Sequence, residues 1–379
     1  MKPKNIPIAV PHLEEEEWLA LREPLETGWL TQGPKVAAFE KAFAARHSAK
    51  HAVATTSCTT ALHLILAALE IGPGDEVIVP AFTWVATANV VLYCGAVPVF
   101  ADVDRATYNL DPAEIPGKIT PRTRAVIVVH LFGLCADVDA VAKAAPGIPI
   151  LEDAACAAGS TYRGRSAGCL GSAGAFSFHP RKVITTGEGG MITTNSEELA
   201  QKLTVLRNHG AGISEEERHR GPRPYLLPEF SHLGFNYRMT DLQGALGLVQ
   251  LGRLDGLIAQ RRQWAEYYNR ALGGIPWLHL PVPPPGYGTN WQSYVCRIDA
   301  GAPCSRNEIM EKLQSRGIST RPGTHCVPTL DYYRRRFDLR PEDVPVAWDS
   351  EHQTIALPIH SRMSPQDYDR VVEALRELG

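Results

Sequence analysis

The sequence predicts an α/β fold with a large domain built on a mostly parallel sheet and a smaller C-terminal α+β domain. Between residues 50 and 194, short apolar runs alternate with helical patterns, which is typical of βαβ units and of a sheet covered on both faces. A Pro- and Gly-rich joint over residues 281–288 separates this part from a later strand and two helices. The length of 379 residues also fits two domains.

The individual elements follow from the same patterns. The candidate strands cover residues 77–79, 97–100, 125–129 and 148–151. The helical patterns between them cover residues 59–69, 83–93 and 136–144. Towards the C-terminus, we expect helices over 240–254, 258–272, 306–316 and 365–378, with a strand over 293–298. Functional groups of such sheets gather where the strands end, so residues that follow a strand are the first site candidates.

Charge and composition exclude several classes of protein. The 38 Lys and Arg residues nearly balance 41 Asp and Glu residues, which argues against the basic surface of a nucleic-acid binder. Apolar residues at 44% and charged residues at 21% are typical of a globular protein and exclude intrinsic disorder. The eight cysteines form no CxxC pair, so we expect reduced thiols and neither a metal site nor a disulfide framework.

The sequence also bears on location. An acidic run over residues 14–17 follows the start, and no signal-peptide core precedes it. Residues 77–101 carry no charge and are long enough to span a membrane. However, Pro80, Gly95 and Pro98 divide this stretch into strand, helix and strand pieces. We therefore expect a soluble cytoplasmic protein that binds no membrane.

The most informative segment, residues 177–191, carries Lys182 in a polar, glycine-rich connection between two apolar runs. A lone surface lysine is usually a solvated amine, but a loop of this kind lets a lysine point inward. A lysine partly desolvated beside cationic groups loses proton affinity, and its neutral amine can form a Schiff base. We therefore predict a Schiff-base role for Lys182. His179, which precedes a proline in this loop, we interpret as structural.

An acidic pair, Glu152 and Asp153, follows the predicted strand 148–151. An acid at the end of a buried strand either serves function or caps a helix. Beside a Schiff-base lysine, Asp153 acquires a specific task, because a pyridoxal ring needs an anion against its ring nitrogen to act as an electron sink.

Two further segments suggest contacts to a flat, phosphorylated ligand. Small hydroxyl residues over 55–60 lead into an apolar helix, whose free N–H groups and positive dipole end can bind an anion. The alternative is plain N-capping by Ser57 or Thr59. Trp84 follows a strand and is either a core residue or a lid stacked on a cofactor.

Taken together, these segments resemble nucleotide-sugar aminotransferases of the DegT–StrS type, which are fold-type-I pyridoxal-phosphate enzymes. The resemblance extends from residues 33–40 to 357–358, and the lysine loop with Thr-Thr-Gly-Glu-Gly-Gly-Met is its most specific part. It implies an aspartate-aminotransferase-like fold, with an N-terminal segment and large cofactor-binding domain over 1–255 and a smaller domain over 256–379.

The resemblance implies roles around the cofactor ring. Lys182 would form the Schiff base and shuttle protons, Asp153 would pair with the pyridinium nitrogen, and Trp84 would stack on the ring. Cys156 stands where relatives usually carry Gln or His near the phenolic oxygen of the cofactor. A thiol is a weak hydrogen-bond donor, so Cys156 departs from the pattern at this contact.

Further roles concern the phosphate and the substrate. The phosphate contacts implied within one chain are Cys58, Thr59 and Ser177. Cys58 replaces a common glycine, which is compatible with a contact through its backbone N–H. Asn236 would bind the phosphate of the partner subunit in a homodimer, Arg238 would face the substrate, and His325 would contact the sugar.

The implied reaction is a two-stage transamination that uses pyridoxal 5′-phosphate and its pyridoxamine form. Glutamate is the expected donor and a keto group of a nucleotide-linked sugar the expected acceptor. One alternative is a keto-cyclitol aminotransferase with glutamine as donor. A second is a sugar dehydratase, in which histidine replaces the lysine, and a third is a non-catalytic regulator. Lys182 argues against the second, and the intact lysine, aspartate and glycine loop argue against the third.

Overall fold

Four sheets and twelve α-helices make up the described part of the chain, which in this computed structural model comprises residues 5–212, 225, 227 and 229–378. The strands are β1 (His51–Thr55), β2 (Glu76–Pro80), β3 (Phe82–Thr83), β4 (Val97–Ala101), β5 (Thr123–Val129), β6 (Ile150–Asp153), β7 (Thr161–Tyr162), β8 (Arg165–Ser166), β9 (Ala173–Ser177), β10 (Gly190–Thr194), β11 (Leu278–His279), β12 (Tyr287–Gly288), β13 (Tyr294–Ile298), β14 (His325–Cys326) and β15 (Thr354–Leu357).

The helices cover both ends of the chain and the connections between strands. They are α1 (Glu15–Ala20), α2 (Arg22–Thr27), α3 (Pro34–His47), α4 (Cys58–Ala68), α5 (Ala86–Tyr93), α6 (Val138–Ala144), α7 (Glu197–Arg207), α8 (Asp241–Leu272), α9 (Arg306–Ser315), α10 (Asp331–Phe337), α11 (Pro345–Gln353) and α12 (Pro365–Arg376). Single 3₁₀ turns lie at Pro112–Glu114, Pro116–Lys118, Leu131–Gly133, Val327–Thr329 and Pro341–Asp343. None of the helices in the described ranges has both the length and the apolar character needed to cross a bilayer.

The seven-stranded sheet has the order β1-β10-β9-β6-β5-β2-β4. β10 runs antiparallel to both of its neighbours, and the other pairs are parallel. The prediction of a mostly parallel sheet is therefore confirmed. The four predicted strands correspond to β2, β4, β5 and β6, although β6 begins two residues later than expected and includes the acidic pair.

The central strands are largely apolar because helices cover both faces of the sheet. Val77 and Ile127 belong to the cluster that includes Ile65 of α4, whereas Ile78 packs in a separate cluster with Val141 of α6. Neighbouring residues of a strand point to opposite faces, so Val77 and Val79 of β2 pack in the first cluster and Ile78 in the second. This double coverage explains the continuous apolar runs seen in the sequence.

The C-terminal part contains the antiparallel sheet β11-β13-β15, packed with residues of α8, α9 and α12. The prediction of two helices over 240–254 and 258–272 was wrong, because α8 is a single helix of 32 residues. A Cβ on Gly252 or Gly256 would meet open space, so these glycines interrupt neither the packing nor the helix. The predicted domain boundary at 255/256 falls within α8, and the division into two domains stays a prediction.

Candidate active site

The register of the sheet brings the lysine loop, the acidic pair and the start of α4 to one edge. Gly190, the first residue of β10, pairs with Thr55 on one side and Ser177 on the other. Asp153 ends β6, the strand on the far side of β9. A Cβ on Gly190 would lie 2.4 Å from the Ser57 carbonyl, so the end of the lysine loop packs directly on the residue that precedes α4.

The start of α4 leaves two amides available for an anion. Ser57 is the N-cap: its Oγ accepts a hydrogen bond from the Thr60 amide at 3.1 Å, and Thr60 Oγ1 accepts one from the Ser57 amide at 3.0 Å. The amides of Cys58 and Thr59 bond to no acceptor in the described part of the chain. They lie at the positive end of an eleven-residue helix, where they can bind a phosphate.

The Asp153 carboxylate is buried and held in a defined orientation. Its Oδ2 accepts a hydrogen bond from Thr87 Oγ1 at 2.8 Å, and its Oδ1 accepts one from the Ala155 amide at 3.2 Å. Cys58 Sγ lies 3.8 Å from the same Oδ1. Thr87 belongs to the first turn of α5, and its hydroxyl also lies 3.0 Å from that of Thr83. Asp153 is followed by turns rather than by a helix, so it does not act as an N-cap.

The neighbouring Glu152 has a structural role. Its side chain points to the opposite face of β6, because residues alternate along a strand. There it is fully buried, 2.7 Å from His130 Nε2, and it accepts hydrogen bonds from three backbone amides within residues 168–171. Of the acidic pair, only Asp153 faces the site.

Lys182 lies in a tight turn and reaches a thiol. Its Nζ is 3.1 Å from Cys156 Sγ, and its amide donates a hydrogen bond to the His179 carbonyl at 2.8 Å. His179 Nδ1 accepts a hydrogen bond from the Arg181 amide at 3.1 Å, which agrees with its predicted structural role. These two bonds hold the backbone of Arg181 and Lys182 against His179.

The prediction that Lys182 loses proton affinity was wrong for the arrangement seen here. Burial lowers the pKa of Lys182, but the neighbouring Cys156, Cys58 and Asp153 outweigh burial, so the net pKa is raised above its usual value. Burial, together with the neighbouring Asp153, raises the pKa of the Cys58 thiol well above its usual value. The lysine must therefore lose a proton before it can act as a nucleophile.

Two side chains from the segment before β13, Asn290 and Gln292, hydrogen-bond to the backbone beside Cys156 and Lys182. The sequence analysis predicted neither contact. Asn290 Nδ2 donates hydrogen bonds of 2.9 Å to the carbonyls of Cys156 and Ala158. Gln292 Nε2 donates one of 2.5 Å to the Arg181 carbonyl, next to Lys182. Both residues are buried. Each lies more than 100 residues from its partner in sequence, so no local pattern points to either.

Trp84 and His325 form the exposed rim of the site. Trp84 is 56% exposed, which excludes the core interpretation. β3 pairs with β14, which sets His325 opposite Thr83, and the rings of Trp84 and His325 lie 5.7 Å apart. His325 Nδ1 is 3.4 Å from the Glu351 carboxylate, whose other oxygen accepts the amide of residue 326 at 3.0 Å.

The segment that holds Asn236 and Arg238 folds against its own chain but leaves Asn236 exposed. The amide of Tyr237 bonds to the Arg207 carbonyl at 3.1 Å, and Arg238 Nη1 donates to Asn208 Oδ1 at 2.9 Å. Arg238 Nε is buried without a hydrogen-bond partner within the described ranges. Asn236 itself is an exposed residue, between the half-buried Phe235 and Tyr237.

This donor set fits pyridoxal 5′-phosphate. The primary amine of Lys182 can bind an aldehyde, the oriented Asp153 carboxylate can hold a ring nitrogen, and the free amides of Cys58 and Thr59 can hold a phosphate. Ser177 lies at the same sheet edge, one strand from the start of α4. The three chemical functions that the cofactor requires therefore converge at one edge of the sheet.

Comparison with known proteins agrees with this reading. The family model described as DegT/DnrJ/EryC1/StrS aminotransferase family matches residues 11–376. The spore coat polysaccharide biosynthesis protein SpsC of Bacillus subtilis (strain 168) is 42% identical over 379 residues, which cover 98% of this chain and 97% of SpsC. Spr1654 from Streptococcus pneumoniae, in its PMP form, superposes with a TM-score of 0.93 at 29% identity over 99% of each chain.

Two further structures carry ligands of interest. Spr1654 in its PLP form superposes with a TM-score of 0.92 at 29% identity over 99% of this chain and 98% of its own. DesI in the presence of its TDP-sugar product superposes with a TM-score of 0.87 at 30% identity over 99% of this chain and 93% of DesI.

The fold, the donor set and these similarities define a pyridoxal-phosphate-dependent aminotransferase. The chain belongs to the DegT/DnrJ/EryC1/StrS aminotransferase family, and the similar Spr1654 is described as a sugar aminotransferase.

Proposed function

We propose that this aminotransferase moves an amino group from glutamate to a keto group of a nucleotide-linked sugar. The observation that carries the proposal is the convergence of Lys182, Asp153 and the free amides of α4 beneath an open rim formed by Trp84 and His325. The similarity to DesI, solved in the presence of its TDP-sugar product, supports a nucleotide-linked acceptor. Glutamate as donor rests on the resemblance to this family, and a cytoplasmic location stays a prediction.

Each residue of the site has a proposed role towards the cofactor. Bound pyridoxal phosphate supplies an electron sink for the carbanion at the donor Cα. Lys182 binds the cofactor and moves the proton from that carbon, and Asp153 keeps the ring nitrogen protonated. The proposed phosphate ligands are Cys58 and Thr59, through their amides, and Ser177. Trp84 covers the ring, and Cys156 lies beside the amine of Lys182.

We further propose a homodimer in which the two chains share each site. Asn236 would reach the phosphate of the partner subunit, while Arg238 and His325 would face the substrate. The exposure of Asn236 supports this arrangement, and so do Phe230 and Leu233, which are 62% and 92% exposed on the same segment. Large apolar side chains with this exposure are typical of a surface that a partner covers.

A substrate screen tests the proposed reaction. The purified protein, loaded with pyridoxal phosphate, is incubated with glutamate and a panel of keto-sugar nucleotides, and in parallel with glutamine and keto-cyclitols. Product mass reports the replacement of a keto oxygen by an amino group, and reactions without donor serve as controls. Turnover with a nucleotide-linked sugar supports the proposal. Turnover restricted to keto-cyclitols would establish the alternative, and no turnover with any pair would favour a non-catalytic protein.

Complementation tests the shared site. Lys182→Ala and Asn236→Asp should each be nearly inactive, the second because it sets a carboxylate against a phosphate dianion. Both variants are co-expressed with different tags and the mixed dimer is isolated. One of its sites then carries both defects and the other carries neither, so we expect activity well above either parent. A mixed dimer no more active than its parents would contradict the role of Asn236 across the interface.

A further inference from the structure

Cys156 forms an unusual contact for a cofactor-binding site. Its Sγ lies 3.1 Å from Nζ of Lys182, the amine that must stay free to bind the cofactor. Cys156 is only partly buried as a residue, unlike Cys58, Cys135, Cys296 and Cys326. Asn290 bonds the Cys156 carbonyl at 2.9 Å, and Gln292 bonds the carbonyl before the lysine. These two bonds fix the backbone of Cys156 and the backbone next to Lys182, so the thiol and the amine are held close together.

The two groups have a known mode of reaction under oxidation. A hydroperoxide converts a cysteine thiol to sulfenic acid, and the sulfenic acid condenses with a thiol to a disulfide or with a backbone nitrogen to a sulfenamide. The nitrogen of Lys182 is already at hydrogen-bond distance from the sulfur. A protonated amine does not attack, and the Cys156 thiol is among the groups that raise the pKa of Lys182. Oxidation of the thiol removes one of those groups.

We propose that Cys156 and Lys182 form an oxidative modification site at which a hydroperoxide links the two side chains by an S–N bond. In the first step, the thiol is oxidised to sulfenic acid while the O–O bond of the peroxide breaks, and one water leaves when the oxidant is hydrogen peroxide, or one alcohol when it is an organic hydroperoxide. In the second step, the neutral amine attacks the sulfur, the S–O bond breaks, and one water carries away the hydroxyl group and the amine proton. The product has no primary amine and therefore cannot bind pyridoxal phosphate.

The other cysteines of the described chain are less suited to this reaction. Burial raises the thiol pKa of Cys58, Cys135 and Cys296, which keeps them in the unreactive thiol form. One comparable pair exists: Cys304 Sγ lies 3.3 Å from Nζ of Lys312. Lys312 is exposed on α9, so its amine is hydrated and its side chain free to move. This surface pair is a matched control for the pair in the site.

Mass spectrometry tests the proposal independently of the acceptor substrate. The cofactor-free protein is treated with hydrogen peroxide, digested without reductant and compared with protein loaded with pyridoxal phosphate. We expect the peptides of Cys156 and Lys182 to be joined, with a mass two hydrogens below their sum. Bound cofactor should prevent the cross-link because it occupies the amine. A thiol reductant should reverse the cross-link and restore the absorption band of lysine-bound cofactor.

Two variants complete the test. Cys156→Ser should lose both the cross-link and the peroxide-induced loss of cofactor binding, each measured against its own untreated sample. Cys304→Ser should keep both. Three outcomes would overturn the proposal: an unmodified Lys182 peptide beside oxidised Cys156, a disulfide from Cys156 to Cys58, or a cross-link that retains an oxygen.

Discussion

Thr87 is the residue through which the fold controls the Asp153 carboxylate. Its hydroxyl donates the 2.8 Å hydrogen bond to Oδ2, and both side chains are buried. Thr87→Val keeps the shape of the side chain but replaces this donor by a methyl group. Thr87 touches Asp153 rather than the reacting atoms, so we regard it as a positioning residue.

The size of the effect follows from the type of bond. A hydrogen bond to a charged group is worth about 1.5–3 kcal/mol, and a buried acceptor left unsatisfied costs a similar amount. At ~1.4 kcal/mol per factor of ten, this predicts a fall in kcat/KM of roughly ten- to a hundredfold. Asp153 keeps its bond from the Ala155 amide at 3.2 Å, so activity should fall but not vanish.

The assay compares kcat/KM for the amino donor, the affinity for pyridoxal phosphate and the thermal midpoint of unfolding. Thr87→Ser retains the hydroxyl and should stay close to the parent. Thr83→Val removes the neighbouring hydroxyl, which lies 3.0 Å from Thr87, without removing the donor to Asp153. If Thr87→Val retains full kcat/KM while Asp153→Asn is inactive, the hydrogen bond does not support the carboxylate and the reasoning fails.

Three further variants test the site and the core. Lys182→Ala should abolish turnover and the absorption band of lysine-bound cofactor, and near-normal transamination would refute the Schiff-base role of this lysine. Asp153→Asn should retain some cofactor but lose most activity, because an amide does not hold the ring nitrogen protonated as a carboxylate does; unchanged kinetics would remove Asp153 from the site. His47 is buried, and burial lowers its pKa from 6.5 to about 4. The folded protein therefore binds a proton at His47 less readily than the unfolded chain does. As the pH falls from 6.5 towards 4, this difference lowers the free energy of unfolding by about 3 kcal/mol in total, and above pH 6.5 there is no such loss. His47→Gln should flatten this dependence in denaturant titrations at stepped pH, and an unchanged slope would show that His47 does not cause it.

The predictions of the fold succeeded where the sequence pattern reports burial directly. Most positions of β2 and β5 are apolar because helices cover both faces of the sheet. This continuous apolar run differs from the alternating apolar and polar pattern of a half-exposed strand. The break predicted between residues 254 and 258 was wrong, because α8 continues through this stretch. In the folded chain, Gly252 and Gly256 simply face open space. Whether a glycine ends a helix depends on what packs around it, which the local sequence does not report.

Candidate site residues could be predicted where a local feature of the sequence, such as a strand end, a helix cap or a glycine-rich loop, marks their position. Asp153 ends a buried strand, Ser57 caps a helix, and Lys182 lies in a loop with unusual backbone requirements, so each leaves a local pattern. Asn290 and Gln292 leave none, because their function is to bond carbonyls that the topology delivers from far away in the sequence. These contacts depend on the sheet register and on where the chain runs after α8. A short stretch of sequence reveals neither.

For Lys182, the predicted proton affinity was wrong, whereas its role as the Schiff-base lysine stays a prediction. The sequence analysis expected cationic groups beside the amine and a lowered pKa, and the nearest charged residue along the sequence is the cationic Arg181. In the folded chain, Arg181 is exposed, while Cys156, Cys58 and Asp153 approach the amine from distant segments and raise its pKa. The tertiary structure determines which side chains surround a buried amine. A Schiff-base lysine can therefore be located from its loop, but its protonation and its reactivity with a neighbouring thiol can be derived only from the folded arrangement.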